Sequence, residues 1–599
     1  MKILGLSVGH DASACLVVDG KLISAISSER ILREKKSHRL TWDVINYVLE
    51  PSGLTIEDID YVAIGKYTPS SDEFVRIFYK PEEMSEYPFS SVHPNFNSLF
   101  NGNSYVDGLG YEIFTDTHFY KPTMDYKQRD YVTCTILFDN DIKKECILIN
   151  HHMAHAASVF YTSNLEKSAI FSVDASGLEG PNSSGYFLGD GNSIQYIGTP
   201  GLMIGSLYNA MTEILSYGSG LIKAGTMMGA ASYGKPSQKV IDNWEKIVEP
   251  IQNRKLYADD ITFNLWAATY ITDKPIKELM FWHEEDKKIL LQRLHNWTYL
   301  NYTIERDYPI DSLTNFNHAA SVQYVLERAI IKYTNELFDL TEGLNDNNIC
   351  LVGGTILNCT SNYKTLNEMK FKNLHLYPAT GDDGTAVGAA LYQSYHLARE
   401  PRHIYTTSEV CYTGREYDDL EDGLDYDEEL VAKMLSESKI VAWFQGGSEF
   451  GPRALGHRSF LANPTDPKMK DILNKRVKHR EWFRPFAPIV LKDRCSEWFD
   501  ISVDSPYMLY ACPVKQPWLI PAVTHVDSTA RVQTLDEKTN SKLYNLIKRF
   551  DSITGVPVIL NTSLNVNGQP IVETPKEALE LFYSSDIDAI VIDNKMFLK

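Results

Sequence analysis

The opening residues 1–26, MKILGLSVGHDASACLVVDGKLISAI, decide how the rest of the chain is read. Ile3 to Val8 is apolar, Gly9-His10-Asp11 is a turn, Ala14 to Val18 is apolar again, and Asp19-Gly20 turns the chain into Lys21 to Ile26. That pattern predicts strand, loop, strand, strand. A cousin of it returns at Ala169 to Val173, with Asp174 to Gly180 as the turn, then Gly185 to Leu188 and Gly189-Asp190-Gly191. One hairpin is used twice, which makes the front of the chain a duplicated α/β domain.

Each copy sets an acidic turn directly after a buried strand. This resembles how actin, sugar kinases and heat-shock ATPases present carboxylates to a phosphate between two duplicated lobes, and a cleft between lobes is the natural place for a nucleotide. Long helical stretches, notably Asn317 to Thr341, join the lobes, and a third glycine turn follows at Val352-Gly353-Gly354. Residues 68–130, rich in Tyr, Phe, Asn and Pro, and the Trp-bearing residues 236–312 read as insertions. The aromatics Tyr79, Tyr87, Phe89, Phe96, Tyr105, Tyr111 and Phe114 suggest a flat or ring-bearing ligand for the first of them. The run Arg399 to Tyr426, rich in Pro, Thr, Glu and Asp, marks a domain boundary, and the remaining piece mixes strands with helices.

Composition bounds the function. With 58 Lys+Arg against 78 Asp+Glu the 599-residue chain carries a formal charge of −20, which disfavours a protein that coats phosphate backbones. No apolar stretch approaches the roughly 20 residues of a membrane span. The 8 cysteines form no C-x-x-C pair or close cluster, so a cytoplasmic protein is expected.

Three constellations carry chemistry. In His151-His152-Met153-Ala154-His155, the first and last imidazoles leave one face of a helix, and Asp174 and Asp382 each sit in a turn after an apolar strand. Together they can hold a divalent cation, although such a histidine pair also occurs solvated or in cores. Gly353-Gly354, followed by Asn358, and Gly381-Asp382-Asp383-Gly384 are turns whose backbone N–H groups can approach phosphate or ribose oxygens; tight strand–helix packing is the alternative reading. The segment from Glu449 to Ser459 and that from Asn474 to Pro485 concentrate arginines in an otherwise acidic chain, which suits a small, dense anion.

The strings GHDASACL (9–16), HHMAHAASVF (151–160), VDASG (173–177), VGGTILN (352–358), TGDDGTAVGAAL (380–391), FGPRALGHRS (450–459), KHREWFRPFAP (478–488), PAVTHVDSTARVQ (521–533) and NTSLNVNGQPIVETP (561–575) resemble the NodU/CmcH O-carbamoyltransferase family. They occur in that family's order across nearly the whole chain. The resemblance implies an α/β architecture: a duplicated actin-like (ASKHA, TsaD-like) carbamoyl-transfer domain at 1–405, a linker region at 406–427, and a smaller α/β YrdC-like, carbamoyladenylate-forming domain at 428–599.

It also implies a reaction. Carbamoyl phosphate and ATP, with Mg²⁺, would give carbamoyladenylate and pyrophosphate in the rear domain, and a hydroxyl of a small-molecule acceptor would then take the carbamoyl group and release AMP. By motif, Lys478, Arg484 and Arg531 fall on the family's basic positions, with Arg453, Arg458, Ser563 and Asn565 as weaker candidates. His151, His155, Asp174 and Asp382 fall on its metal positions, where the ion in relatives is usually Fe²⁺. His10 stands where the family assists deprotonation of the acceptor, and Gly353, Gly354 and Asn358 would contact adenosine. One departure is Thr226, where the family often has lysine; Lys223 or Lys235 would have to replace it.

Rival readings are carbamoylation of a hydroxymethylated nucleobase or nucleotide, a threonylcarbamoyl-transfer enzyme acting on tRNA, a cysteine-carbamoylating HypF-type protein, and a non-enzymatic actin-like ATPase scaffold. The charge is unhelpful to tRNA, the acylphosphatase-like start and C-x-x-C modules of HypF are missing, and a scaffold leaves the arginine-rich rear unexplained.

Overall fold

A computed structural model describes residues 1–67, 89–94, 130–138, 142–175, 184–248, 267–268, 270–272 and 310–599. Most of both insertions, including the aromatic stretch apart from the strand at 89–94, lies outside the described residues, as does the rest of the turn after Ala175 up to residue 183.

The first sheet holds β1 (Lys2–Ser7), β2 (Ser13–Val18), β3 (Lys21–Ser27), β4 (Tyr61–Tyr67), β5 (Phe89–Pro94), β6 (Tyr131–Phe138) and β7 (Lys143–Asn150) in the order β3-β2-β1-β4-β7-β6-β5. The second holds β8 (Lys167–Val173), β9 (Ser184–Asp190), β10 (Ser193–Gly198), β11 (Asn348–Val352) and β12 (Asn373–Leu376) in the order β10-β9-β8-β11-β12. The sequence repeat is a topological repeat: in both sheets an antiparallel meander of three strands continues through two parallel pairings. This is the duplicated plan expected of an actin-type chain, with β5 and β6 added at the edge of the first copy.

Each copy's last parallel strand feeds a helix that inserts between the sheets. His151–Tyr161 follows β7, Thr385–Leu391 follows β12, and both are buried along their whole length. They cross closely because the contact is built from small residues. A Cβ on Gly388 would lie 1.8 Å from the Ala154 carbonyl oxygen. Around this crossing Val17, Ile149, Phe160, Cys350, Val352 and Leu391 form one core shared by both sheets. Apolar burial of this kind contributes about 25 cal/mol per Å² and fixes the helix starts relative to the strand ends.

The third sheet is nine-stranded: β13 (Leu424–Asp425), β14 (Val441–Phe444), β15 (Arg458–Ala462), β16 (Ala487–Leu491), β17 (Tyr510–Pro513), β18 (Thr529–Leu535), β19 (Val558–Ser563), β20 (Ala589–Ile592) and β21 (Lys595–Leu598). It has its own core around Trp443, Phe444, Phe460 and Phe550.

The stretch that composition marked as a boundary is docked along the first lobe. Thr413 exchanges bonds with Ala25 at 3.1 Å in both directions, and Arg415 donates to the Tyr47 and Asn46 carbonyls at 2.7 Å each. Further ties cross from front to rear: Arg30 donates to the Glu449 and Gly451 carbonyls, and Asn362 Nδ2 to Leu509 O at 2.9 Å. Phe483, from the rear arginine segment, is 2% exposed inside the core of the second lobe, edge-on to Phe316 and Tyr217. No helix among the described residues is long and apolar enough to cross a membrane. The seven described cysteines are all free and buried.

Candidate active site

The helix His151–Tyr161 begins on the last residue of β7: Asn150 Oδ1 accepts from Met153 N at 3.2 Å, so its first turn is capped and its histidines are fixed. One turn apart, His151 and His155 face Asp174, which follows β8, and Asp382, which opens the turn before the second inserted helix. All four are buried, and one ligand atom from each lies within 4.8 Å of the others. His151 Nε2 is 2.9 Å from Asp174 Oδ2 and 3.5 Å from Asp382 Oδ1; His155 Nε2 is 3.5 Å from both carboxylates.

The backbone aims Asp174. Its Oδ1 accepts from Ala175 N at 2.7 Å and Gly354 N at 3.2 Å, leaving Oδ2 for the histidines. Gly353 has φ +103°, and a Cβ there would stand 2.1 Å from Val173 O, so the glycine turn is pressed onto the end of β8. This close approach explains why Gly353 and Gly354 stand beside the acidic cluster.

Electrostatically, two carboxylates cannot stay charged here without cations. Burial opposes a charge on His155, but ion pairing with Asp174 and Asp382 outweighs it and lifts the imidazole to about 9. Burial and Asp382 both push the Asp174 carboxyl up, yet the two histidines hold it below its ordinary value. Among the described residues His155 Nε2, although near both carboxylates, makes no directed hydrogen bond, and His151 Nδ1 and His155 Nδ1 are likewise unpartnered. Two imidazoles and two carboxylates converging on one buried point, with an orphaned nitrogen aimed at it, fit a divalent transition metal.

His10 stands at the rim, 32% exposed, with Nε2 3.3 Å from Asp382 Oδ2 and Nδ1 3.3 Å from Asp11 Oδ2. The same Asp11 oxygen accepts from Lys36 Nζ at 2.6 Å.

The rear segment builds a second cluster. Lys478 is buried, and its ammonium donates to Asn565 Oδ1 at 2.8 Å, Asn565 O at 3.0 Å, Ser563 Oγ at 3.2 Å and Ser563 O, so three residues singled out by motif converge. Burial, then Arg480, Arg484 and Lys35, hold its pKa well below the usual lysine value. Burial together with Arg531 brings Arg453 down to about 9, and its Nε has no partner. Arg480 feels Arg484 and Arg531 in turn. Crowding like charges at this density is costly unless an anion joins them.

Other motif residues lie elsewhere. Arg458 is fully buried, with its guanidinium donating to the carbonyls of Gln445, Gly446, His457 and Glu573 at 2.8 to 3.3 Å and lying 3.5 Å over the Phe444 ring. The Asn358 side chain caps the helix Cys359–Glu368 and exchanges two bonds with Gln323. Thr226 is 2% exposed. Of the two lysines offered in its place, Lys223 reaches Glu481 at 3.4 Å, beside the arginines, while Lys235 is exposed. Sequence reasoning missed Lys35, which sits in a charged run without motif, and Arg480, whose position inside the arginine segment was its signal.

Adjacent residues join the two clusters. Lys36 holds Asp11 beside His10, and Lys35 is within electrostatic reach of Arg484, Lys223 and Lys478.

Two family models match the chain in order. The carbamoyltransferase N-terminus model matches residues 2–391 and the carbamoyltransferase C-terminus model residues 432–599. An uncharacterized protein of Synechocystis sp. is 30% identical, covering 100% of this chain and 96% of its own length. Nodulation protein NolNO of Sinorhizobium fredii is 30% identical over 98% of this chain and 79% of its own. Nodulation protein U of Rhizobium tropici is 25% identical over 95% and 92%. Among solved structures, component A of the (R)-2-hydroxyglutaryl-CoA dehydratase of Acidaminococcus fermentans covers 66% of this chain and 99% of its own at 13% identity and a TM-score of 0.29. With both family models in order and relatives spanning its full length, the chain belongs to the NodU-type O-carbamoyltransferase family and is an enzyme that transfers carbamoyl groups.

Proposed function

We propose that the chain is an ATP-dependent O-carbamoyltransferase working in two stages, with carbamoyladenylate formed at the rear cation cluster and consumed at the front acidic cluster. The observation that carries this reading is a pair of adjacent residues, Lys36 bonded to Asp11 beside the front cluster and Lys35 within electrostatic reach of Arg484 and Lys478 in the rear one. A labile anhydride made beside one need not cross bulk water to reach the other. The division follows a transfer domain at 1–405, a linker at 406–427 and a YrdC-like domain at 428–599.

Atom balance sets the order. The anhydride product has one phosphorus, so carbamoyl phosphate gives up its own phosphate to water as inorganic phosphate. The resulting carbamate oxygen attacks the α-phosphorus of ATP, supplied with Mg²⁺, and pyrophosphate leaves. Arg484, Arg531 and Arg453 would neutralise charge on the transferred and leaving phosphates. Lys478, held by Ser563 and Asn565, would fix the carbamoyl end of the donor.

At the front, an acceptor hydroxyl attacks the carbamoyl carbon, loses its proton, and AMP leaves. His10, 32% exposed at the rim and braced by Asp11, would take that proton. Gly353 and Gly354 would let the nucleotide approach the backbone. His151, His155, Asp174 and Asp382 would hold the ion, Fe²⁺ by family resemblance, which when bound neutralises the adenylate phosphate. The acceptor is a hydroxyl-bearing small molecule.

Purified protein given carbamoyl phosphate, ATP and a panel of hydroxyl compounds tests this. AMP, pyrophosphate and a product heavier by one carbamoyl group are expected. Product formation with ADP in place of AMP would overturn the two-stage reading.

A further inference from the structure

The carboxylate set among the rear cations is Glu481, which belongs to the same segment as Lys478 and Arg484. Its Oε1 is 3.4 Å from Lys223 Nζ, contributed by the front helix Gly220–Ala231, and its Oε2 is 3.7 Å from Arg484 Nη1. Oε2 is buried and accepts no hydrogen bond from any described residue. A carboxylate oxygen stripped of water without a donor is an unfavourable arrangement, tolerable only because cations surround it. Glu481 therefore spans cations of both domains with one oxygen, Oε1, bonded to Lys223 and the other, Oε2, left without a donor among the described residues. Phe483, two residues on, is anchored in the front core, and a Cβ on Gly229 of the same front helix would be 3.5 Å from Pro485 Cδ. The segment is thus seated firmly on both sides while the Glu481 carboxylate itself is poorly held.

We propose that Glu481 is an internal stand-in for the phosphoryl anion: it bridges Lys223 and Arg484 until a phosphate or pyrophosphate group enters, and is displaced by it. The inference rests on the rear cluster being the anion site and adds to it a gating residue that joins filling of that site to a cation of the transfer domain. Displacement frees Lys223, which stands one turn before Thr226, to bind the incoming anion, and returns the Glu481 carboxylate to water. The cations of an empty site are thereby kept from pushing one another apart, and weakly charged anions are refused because they cannot outcompete the carboxylate.

The test is calorimetric titration of the full-length protein with pyrophosphate. Glu481→Gln removes the competing charge, and affinity is expected to rise on the order of tenfold. Glu481→Asp keeps the charge but shortens its reach, and should give a smaller increase, readable even if the Gln variant fails to fold. A merely structural carboxylate would lower thermal stability and leave affinity unchanged or weaker, and that result in either folded variant would overturn the gate while wild-type binding preserved the anion site. Failure of wild type and variants alike to bind pyrophosphate would remove the anion site and the gate with it.

Discussion

The Tyr47 hydroxyl of the first lobe donates to Glu573 Oε1 of the rear domain at 2.6 Å, in a buried setting that also contains Arg458. Burial, and then the Glu573 charge, push the Tyr47 phenol well above its ordinary pKa, so it stays a donor throughout the working range. Tyr47→Phe leaves Glu573 short of a donor and should cost about 1.5–3 kcal/mol of stability, read as a lower denaturant midpoint. An unchanged midpoint would show that this bond contributes nothing across the junction.

Two arginines of the same motif-rich region should fail in different ways. Arg458 spends its guanidinium on buried carbonyls and Glu573, so Arg458→Met should lower stability by about 3–5 kcal/mol. Arg484, 28% exposed among the cations, can be replaced with little loss of stability, but Arg484→Met should abolish carbamoyl-phosphate-dependent ATP/pyrophosphate exchange. Retained exchange in a folded Arg484 variant would remove the donor-site assignment.

For the front cluster the expectation is a split between stages. His155→Ala should lose bound metal by elemental analysis and stop transfer, while ATP/pyrophosphate exchange continues. Normal transfer by a metal-free variant would refute the role given to His151, His155, Asp174 and Asp382.

His457 predicts an acid sensitivity. Burial pushes its imidazole from 6.5 down to about 4, and the ring stacks on Tyr412 with centroids 3.5 Å apart while Nδ1–H donates to Gly447 O at 2.7 Å. The unfolded chain takes up this proton first, so the contribution is complete above pH 6.5 and is lost as pH falls toward 4. Its size is at most about 3 kcal/mol. His457→Phe should flatten the stability–pH curve in that window; an unchanged slope would place the acid sensitivity elsewhere.

Local pattern made much of this readable in advance. The HxxxH spacing implied one helical face, and His151 and His155 share one; the repeated hairpin implied duplicated lobes, and the two sheets repeat one strand order. Pattern could not measure what lies far apart in the chain. That His151 and His155 meet Asp382 depends on two helices crossing at Gly388, and that Lys35 comes within electrostatic reach of Lys478 depends on how the domains dock. Nor could it separate Arg453 from Arg458, which share a motif and differ only in what surrounds them. How the charged linker lies was unreadable for the same reason, because its pinning to Ala25 and Tyr47 rests on tertiary hydrogen bonds.

Phe483 bears on how such a protein can be divided. Its ring completes the interior of one half while its backbone belongs to the other. Cutting the gene within the acidic stretch would therefore give one polypeptide with an unfilled hole and another with a greasy aromatic in water. Co-production of the fragments should rescue what either alone cannot do, with the ring acting as the plug that re-forms the pair.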